Sequence, residues 1–202
     1  MPSANAPEAP AQRPLTRSDY KTLSLSALGG ALEFYDFIIF VFFATVVGKL
    51  FFPADMPEWL RQLQTFGLFA AGYLARPLGG VIMAHFGDLL GRKRMFTLSI
   101  FMMAVPTLIM GLLPTYAQIG IWAPIMLVAL RVLQGFSAGG EWGGAALMAV
   151  EHAPGNRRAL FGAFPQIGVP LGMIVATGVL WCITAAIGSD NFMAWGWRIS
   201  FL

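Results

Sequence analysis

Five long apolar stretches set the terms for what this chain can become: residues 22–52, 64–86, 95–113, 119–150 and 160–188, by approximate bounds. Each approaches or exceeds the roughly 20 residues that cross a bilayer's hydrocarbon core as a helix. Lipid offers no water to satisfy backbone N–H and C=O groups, so segments of this length are helical. Only 11% of the 202 residues are charged and 57% are hydrophobic, whereas a soluble domain is about a quarter charged. The sequence therefore predicts an all-α, polytopic membrane protein with the lipid bilayer as its main solvent. A further apolar run opens at Trp197 and is cut at Leu202. The expectation is five complete spans plus the start of a sixth, from one part of a larger protein.

The basic residues orient these spans. Arg13, Arg17, Lys21, Arg92, Lys93, Arg94, Arg157 and Arg158 fall on one side of the alternating segments. Lys49 and Arg61 fall on the other, with Arg198 unassigned, and Arg76 and Arg131 lie within spans. That asymmetry predicts a cytoplasmic amino terminus in a cell's inner membrane. The net charge of +3 is spread over membrane-flanking loops and forms no single basic patch, so no nucleic-acid partner is expected. His85 and His152 stand far apart and Cys182 is the single cysteine. No metal set, cofactor or disulfide is therefore expected, and Cys182 reads as packing. Residues 1–20, with Pro2, Pro7, Pro10 and Pro14 among small and polar residues, read as a disordered cytoplasmic tail. Residues 21–202 read as the transmembrane bundle.

Between the second and third spans lies Gly87-Asp88-Leu89-Leu90-Gly91-Arg92-Lys93-Arg94. Gly87 and Gly91 are expected to permit a tight turn and a close helix approach. Asp88 stands beside three cations as a candidate arginine partner. Glu151, at the end of the fourth span, is expected at the same depth as Arg92, where the two form a salt bridge between loops. His152 beside it reads as a loop histidine.

Charges inside the spans are the candidate site. Glu33 and Asp36 share one face near the middle of the first span. An acid at that depth costs a few kcal/mol on insertion scales, so it faces protein or water. The pair is either neutralised structurally by arginine or carries protons and faces substrate. Arg76, midway through the second span, serves as their counter-ion or receives an anionic substrate. In the fourth span Arg131, Gln134, Ala138 and Glu141 form a polar stripe at helical spacing. Gly135, Gly139 and Gly143, with Gly140 and Gly144, form GxxxG ladders for helix contact. The third span has no charge between Met95 and Leu113 and reads as a lipid-facing support without chemistry. In the fifth, Pro165 and Pro170 predict a kink, where freed carbonyls and Gln166 line a cavity or merely bend the helix. No nucleophile–base pair is evident in the spans, so no enzyme is expected and no catalytic residue is assigned. No ring-forming filter motif marks a channel.

The G-D-x-x-G-R-K-R loop resembles the signature between helices 2 and 3 of the major facilitator superfamily. With G-x-x-x-E-F-Y-D-F in span 1, A-R-P-L-G-G before the loop, R-V-L-Q-G-F-S-A-G-G-E in span 4, F-P-Q-I-G-V-P-L-G in span 5 and the closing W-G-W-R-I-S-F-L, the chain resembles the metabolite:H⁺ symporter family within it. Phe34 departs from the Trp common there. The resemblance implies a major facilitator fold of two six-helix halves built from inverted repeats. This chain would supply the amino-terminal bundle, helices 1–5 plus the start of helix 6, with a missing carboxy-terminal half as partner. It also implies a proton-coupled symporter working by alternating access on a small organic anion or zwitterion: a dicarboxylate, α-ketoglutarate, citrate, shikimate, or proline and betaine. Asp36 or Glu33 would work against Arg131, with Asp36 the favoured proton carrier. Gly87, Asp88, Gly91, Arg92, Lys93, Arg94 and Glu151 would form the cytoplasmic gate. The alternatives are a non-transporting membrane scaffold or sensor, or an inactive half-transporter fragment.

Overall fold

The computed structural model describes residues 15–151, 153 and 157–202. The helices are α1 (Arg17–Leu50), α2 (Glu58–Leu90), α3 (Arg92–Leu112), the one-turn α4 (Tyr116–Ile119), α5 (Trp122–Glu151), α6 (Arg158–Ile187) and the short α7 (Ser189–Ala194). A 3₁₀ segment, Gly196–Phe201, follows. Among the described residues no strand occurs, and five helices are long and apolar enough to cross a membrane. At 1.5 Å per residue the 34 residues of α1 extend roughly 50 Å, well beyond a hydrocarbon core of about 30 Å.

Several boundaries correct the expectations. The predicted tail ran to residue 20, but Thr16 caps α1, so the helix starts at Arg17. The Thr16 hydroxyl accepts the Asp19 N–H at 3.4 Å, and the Asp19 carboxylate accepts the Thr16 N–H at 2.8 Å. Together they form a capping box that satisfies two end donors at once. Residues 1–14, 152 and 154–156 lie outside the described residues, and with them Arg13 and His152. The turn between α2 and α3 is one residue, Gly91, at φ +96°, a region that favours glycine. Gly87 stays helical, and a side chain added there would meet nothing within 4 Å. The expected close helix approach at Gly87 is therefore absent among the described residues. Gly120, at φ +60°, separates α4 from α5. α6 runs unbroken through Pro165 and Pro170. Cys182, expected to pack, is exposed on α6. The closing 3₁₀ segment packs on the bundle, where Trp197 and Phe201 are buried against Phe43.

Glycine contacts join the helices in two pairs. In α2·α5, a side chain at Gly79 would strike the Phe136 backbone, at Gly135 that of Gly72, and at Gly139 that of Arg76. In α1·α6, Gly168 and Gly172 lie equally close to the backbone of Ala27 and Ala31. Without a hydrophobic drive between helices in lipid, such backbone approach supplies the dispersion contacts that hold a bundle. The ladder is partial: Gly143 meets nothing within 4 Å. The main core gathers Phe40, Phe43, Val47 and Phe51 of α1 with Leu68, Met110, Leu127 and Leu180. Leu74, Val81, Phe101, Ile174 and Trp181 point outward and stay exposed, as a lipid-facing surface requires.

Candidate functional site

The spacing of acids on α1 and bases on α2 and α5 decides what meets at the centre. Asp36 Oδ2 accepts a hydrogen bond from Arg131 Nη1 at 2.7 Å, and Arg76 Nη1 lies 2.6 Å from Glu33 Oε1. Gln134 locks the first pair: its Oε1 accepts from Arg131 Nη1 at 3.0 Å and its Nε2 donates to Asp36 Oδ1 at 3.0 Å. The Arg131 guanidinium lies over the Phe40 ring, 3.3 Å from its centroid. Arg76 sits 4.4 Å from the Tyr73 centroid. Planar guanidinium suits both carboxylate and aromatic faces. Glu33, Asp36, Arg131 and Gln134 are buried, while Arg76 is about a third exposed, at 32%. These residues line one cavity with Phe37, Tyr73 and Gly135.

The pairs leave part of each arginine unused. Arg131 spends Nη1 on Asp36 and Gln134, while its buried Nε and Nη2 have no hydrogen-bond partner among the described residues. The same holds for Arg76 Nε and Glu33 Oε2. Nε and Nη2 form one side of the guanidinium fork, the geometry that grips a carboxylate with two parallel bonds.

Thr107 of α3 joins the site. Its hydroxyl lies 3.2 Å from Asp36 Oδ1 and accepts from Gln134 Nε2 at 2.6 Å. Ser137 also donates to the Ser99 carbonyl of the same helix. The third span is thus no mere lipid-facing support; it buries Met95, Phe96, Ser99, Met103 and Met110. Thr107 escaped notice because a neutral hydroxyl in an apolar run has no signal beyond helical spacing from Met103, which also lines the cavity. Phe40 and Tyr73 were likewise hidden among many aromatics.

Two expected members lie apart. Glu141 is buried against Gly29 of α1, where any side chain would collide with its carboxyl. Gln166 is exposed on α6 and does not line the cavity. Arg198, unassigned from sequence, donates through Nη1 to the carbonyls of Gly111 and Leu113 at 2.8 and 2.9 Å. It thereby satisfies orphan acceptors at the end of α3.

At the far end of the helices, Arg92 in the first turn of α3 bonds to Glu151, the last residue of α5. Its Nη2 lies 3.4 Å from Asp88 Oδ1, one turn back across Gly91. Lys93 and Arg94 are exposed. Three cations in a helix's first turn oppose its dipole, and Asp88 and Glu151 offset that charge.

Five membrane-length helices thus bring paired charges together between them and a charged cluster to one end. The family model described as "Sugar (and other) transporter" matches residues 23–202. The chain belongs to this family, within the major facilitator superfamily. It is similar to the shikimate transporter of Escherichia coli K12, with 45% identity over 93% of this chain and 45% of that one. It is also similar to the proline/betaine transporter of Salmonella typhimurium LT2, 38% identical over 90% of this chain and 36% of that one. The chain thus spans less than half the length of these curated relatives. The xylose transporter XylE of E. coli, in a partially occluded inward-open conformation, superposes with a TM-score of 0.81 at 16% identity, over 92% of this chain and 45% of that chain. That likeness establishes the fold: the amino-terminal bundle of a major facilitator protein.

Proposed function

We propose that this chain forms the amino-terminal bundle of a proton-coupled symporter that takes up a small carboxylate-bearing solute, an organic acid or a zwitterion, by alternating access. It would sit in a cell's inner membrane with its amino terminus cytoplasmic, paired with a carboxy-terminal bundle that closes the cavity. One observation carries the reading: the buried Nε–Nη2 edge of Arg131 is unpartnered in a cavity that also holds Arg76. A buried donor without an acceptor costs about 1–3 kcal/mol, which a substrate carboxylate would recover. The names of the shikimate and proline/betaine relatives support a solute of this class, since both kinds carry a carboxylate.

In this mechanism the substrate carboxylate competes with Asp36 for Arg131. Once Arg131 turns to the substrate, Asp36 loses its counter-charge and takes up a proton, so solute and proton load together, as linkage requires. Gln134 and Thr107 hold Asp36 in place during the exchange. The Arg92–Glu151 pair, with Asp88 beside it, fastens the cytoplasmic ends while the cavity opens outward. Gly91 supplies the turn, and Lys93 and Arg94 anchor that face.

Uptake assays on the full-length protein test this. Organic acids and zwitterions should be accumulated and neutral sugars ignored, and Asp36→Asn should abolish uphill accumulation. Robust sugar uptake without uptake of any carboxylate would remove the proposal.

A further inference from the structure

The buried acids of α1 and α5 outnumber the bases paired with them among the described residues. Asp36 faces Arg131 and Glu33 faces Arg76, so each of these bases already has one acid against its charge. Glu141, buried outside their cavity against Gly29, is a third acid with no basic partner among the described residues. It is 1% exposed, and both its carboxyl oxygens lack a hydrogen-bond partner among the described residues. Gly29, against which it lies, is one turn before Glu33 on α1, and Gly139, two residues before it, approaches the Arg76 backbone of α2. The other long helices packed on α5 bring charge only in their first turns: Arg92, Lys93 and Arg94 on α3, and Arg158 on α6. Its position is built rather than incidental. Gly29, Glu33 and Asp36, spaced by four and three residues, line one face of α1, and glycine at 29 leaves the room that the Glu141 carboxyl fills.

We propose that Glu141 is a second proton-holding site, separate from Asp36: it is a neutral carboxylic acid while Arg76 is paired with Glu33, and it gives up its proton when Arg76 turns to it during the transport cycle. An ionised carboxylate there would be buried, unbonded and beside another acid, whereas the neutral acid leaves the cluster of three acids and two bases uncharged. The chemistry is one proton bound to and later released from a Glu141 oxygen, exchanged with water on either side. The role in transport rests on the symporter reading above; the protonation state does not.

Two measurements on purified full-length protein decide it. Infrared spectroscopy at neutral pH without substrate should show a buried protonated-carboxyl C=O band. The band should be lost in Glu141→Gln, shifted in Glu141→Asp if the first variant does not fold, and kept in Asp36→Asn. In vesicles, the protons taken up per solute should fall about twofold in Glu141→Gln. Absence of the band in wild type, its loss in Asp36→Asn alone, or an unchanged proton-to-solute ratio in Glu141→Gln would overturn the assignment. A wild type that moves solute without protons would instead remove the symporter reading, and the infrared band would still decide Glu141's protonation.

Discussion

Arginine meets carboxylate twice in this bundle, under opposite conditions. At mid-depth the Arg131 and Asp36 side chains are 10% and 7% exposed. At the loop end Arg92 and Glu151 are 37% and 48% exposed. The buried pair is fixed by Gln134, Thr107 and the Phe40 ring. The exposed pair has Asp88 at the margin, 3.4 Å from Arg92 Nη2. Solvent screening makes an exposed pair weak and easily broken, worth about 0–1 kcal/mol. Breaking a buried pair by removing one partner strands a charge and costs about 3–5 kcal/mol. The difference suits each to its proposed work: a latch has to open every cycle, while a binding site has to hold its groups in position until a matching charge arrives.

The largest expected effect follows from stranding the buried acid. Arg131→Leu should lower unfolding stability in detergent by about 3–5 kcal/mol. Adding Asp36→Asn to that variant should restore most of the loss, because no uncompensated charge remains. Denaturant titration of both variants checks this. A double variant as unstable as the single one would mean that Arg131 matters through its packing on Phe40 rather than its charge.

Next comes the glycine that lets the buried site assemble. A side chain at Gly139 would strike the Arg76 backbone, whereas one at Gly87, beside the loop cluster, meets nothing within 4 Å. Gly139→Ala should therefore cost about 1–3 kcal/mol, as overpacking does. Gly87→Ala should be neutral or slightly stabilising through helix propensity. Thermal melts of the two variants sharpen the contrast, and equal shifts would break it.

What could be read beforehand followed the same division. The mid-depth charges were legible because a charge in lipid is costly and therefore conspicuous, so Glu33, Asp36, Arg76 and Arg131 stood out. Which acid met which base did not follow, since helical spacing puts Glu33 and Asp36 on one face without fixing how α2 and α5 are rotated against it. Thr107 was invisible because an uncharged hydroxyl in a transmembrane helix costs little once bonded to its own backbone, here the Met103 carbonyl at 2.9 Å. The turn at Gly91 was expected to involve Gly87 too, because two glycines four residues apart serve a turn or a helix contact equally well. The packing of Trp197 and Phe201 on Phe43 could not be read beforehand, because an apolar run at the opening of a span does not say which helix it touches.

A smaller effect is expected from the exposed pair. In an Arg92→Ala, Glu151→Ala double-mutant cycle, each single change should cut uptake in the full-length protein. The coupling energy read from unfolding should stay at or below about 1 kcal/mol. A coupling of several kcal/mol would mean that the loop pair is a structural lock of the same kind as Asp36–Arg131, and the contrast between the regions would fail.

The smallest effect separates the two regions by their response to salt. Mobile ions screen exposed charges beyond about 10 Å at 0.1 M salt and beyond about 3 Å at 1 M, but they do not reach a pair sealed among helices. Raising NaCl should therefore shrink the stability difference between wild type and Glu151→Gln, by a few tenths of a kcal/mol, towards zero. The same titration should leave the difference between wild type and Asp36→Asn unchanged. Both comparisons come from denaturant unfolding of detergent-solubilised protein at several salt concentrations, so general salt effects on the fold and the micelle cancel within each pair. Salt sensitivity at Asp36 would show that water and ions enter the cavity in this conformation, and the Nε–Nη2 edge of Arg131 would then be solvated rather than waiting, unpartnered, for a substrate carboxylate.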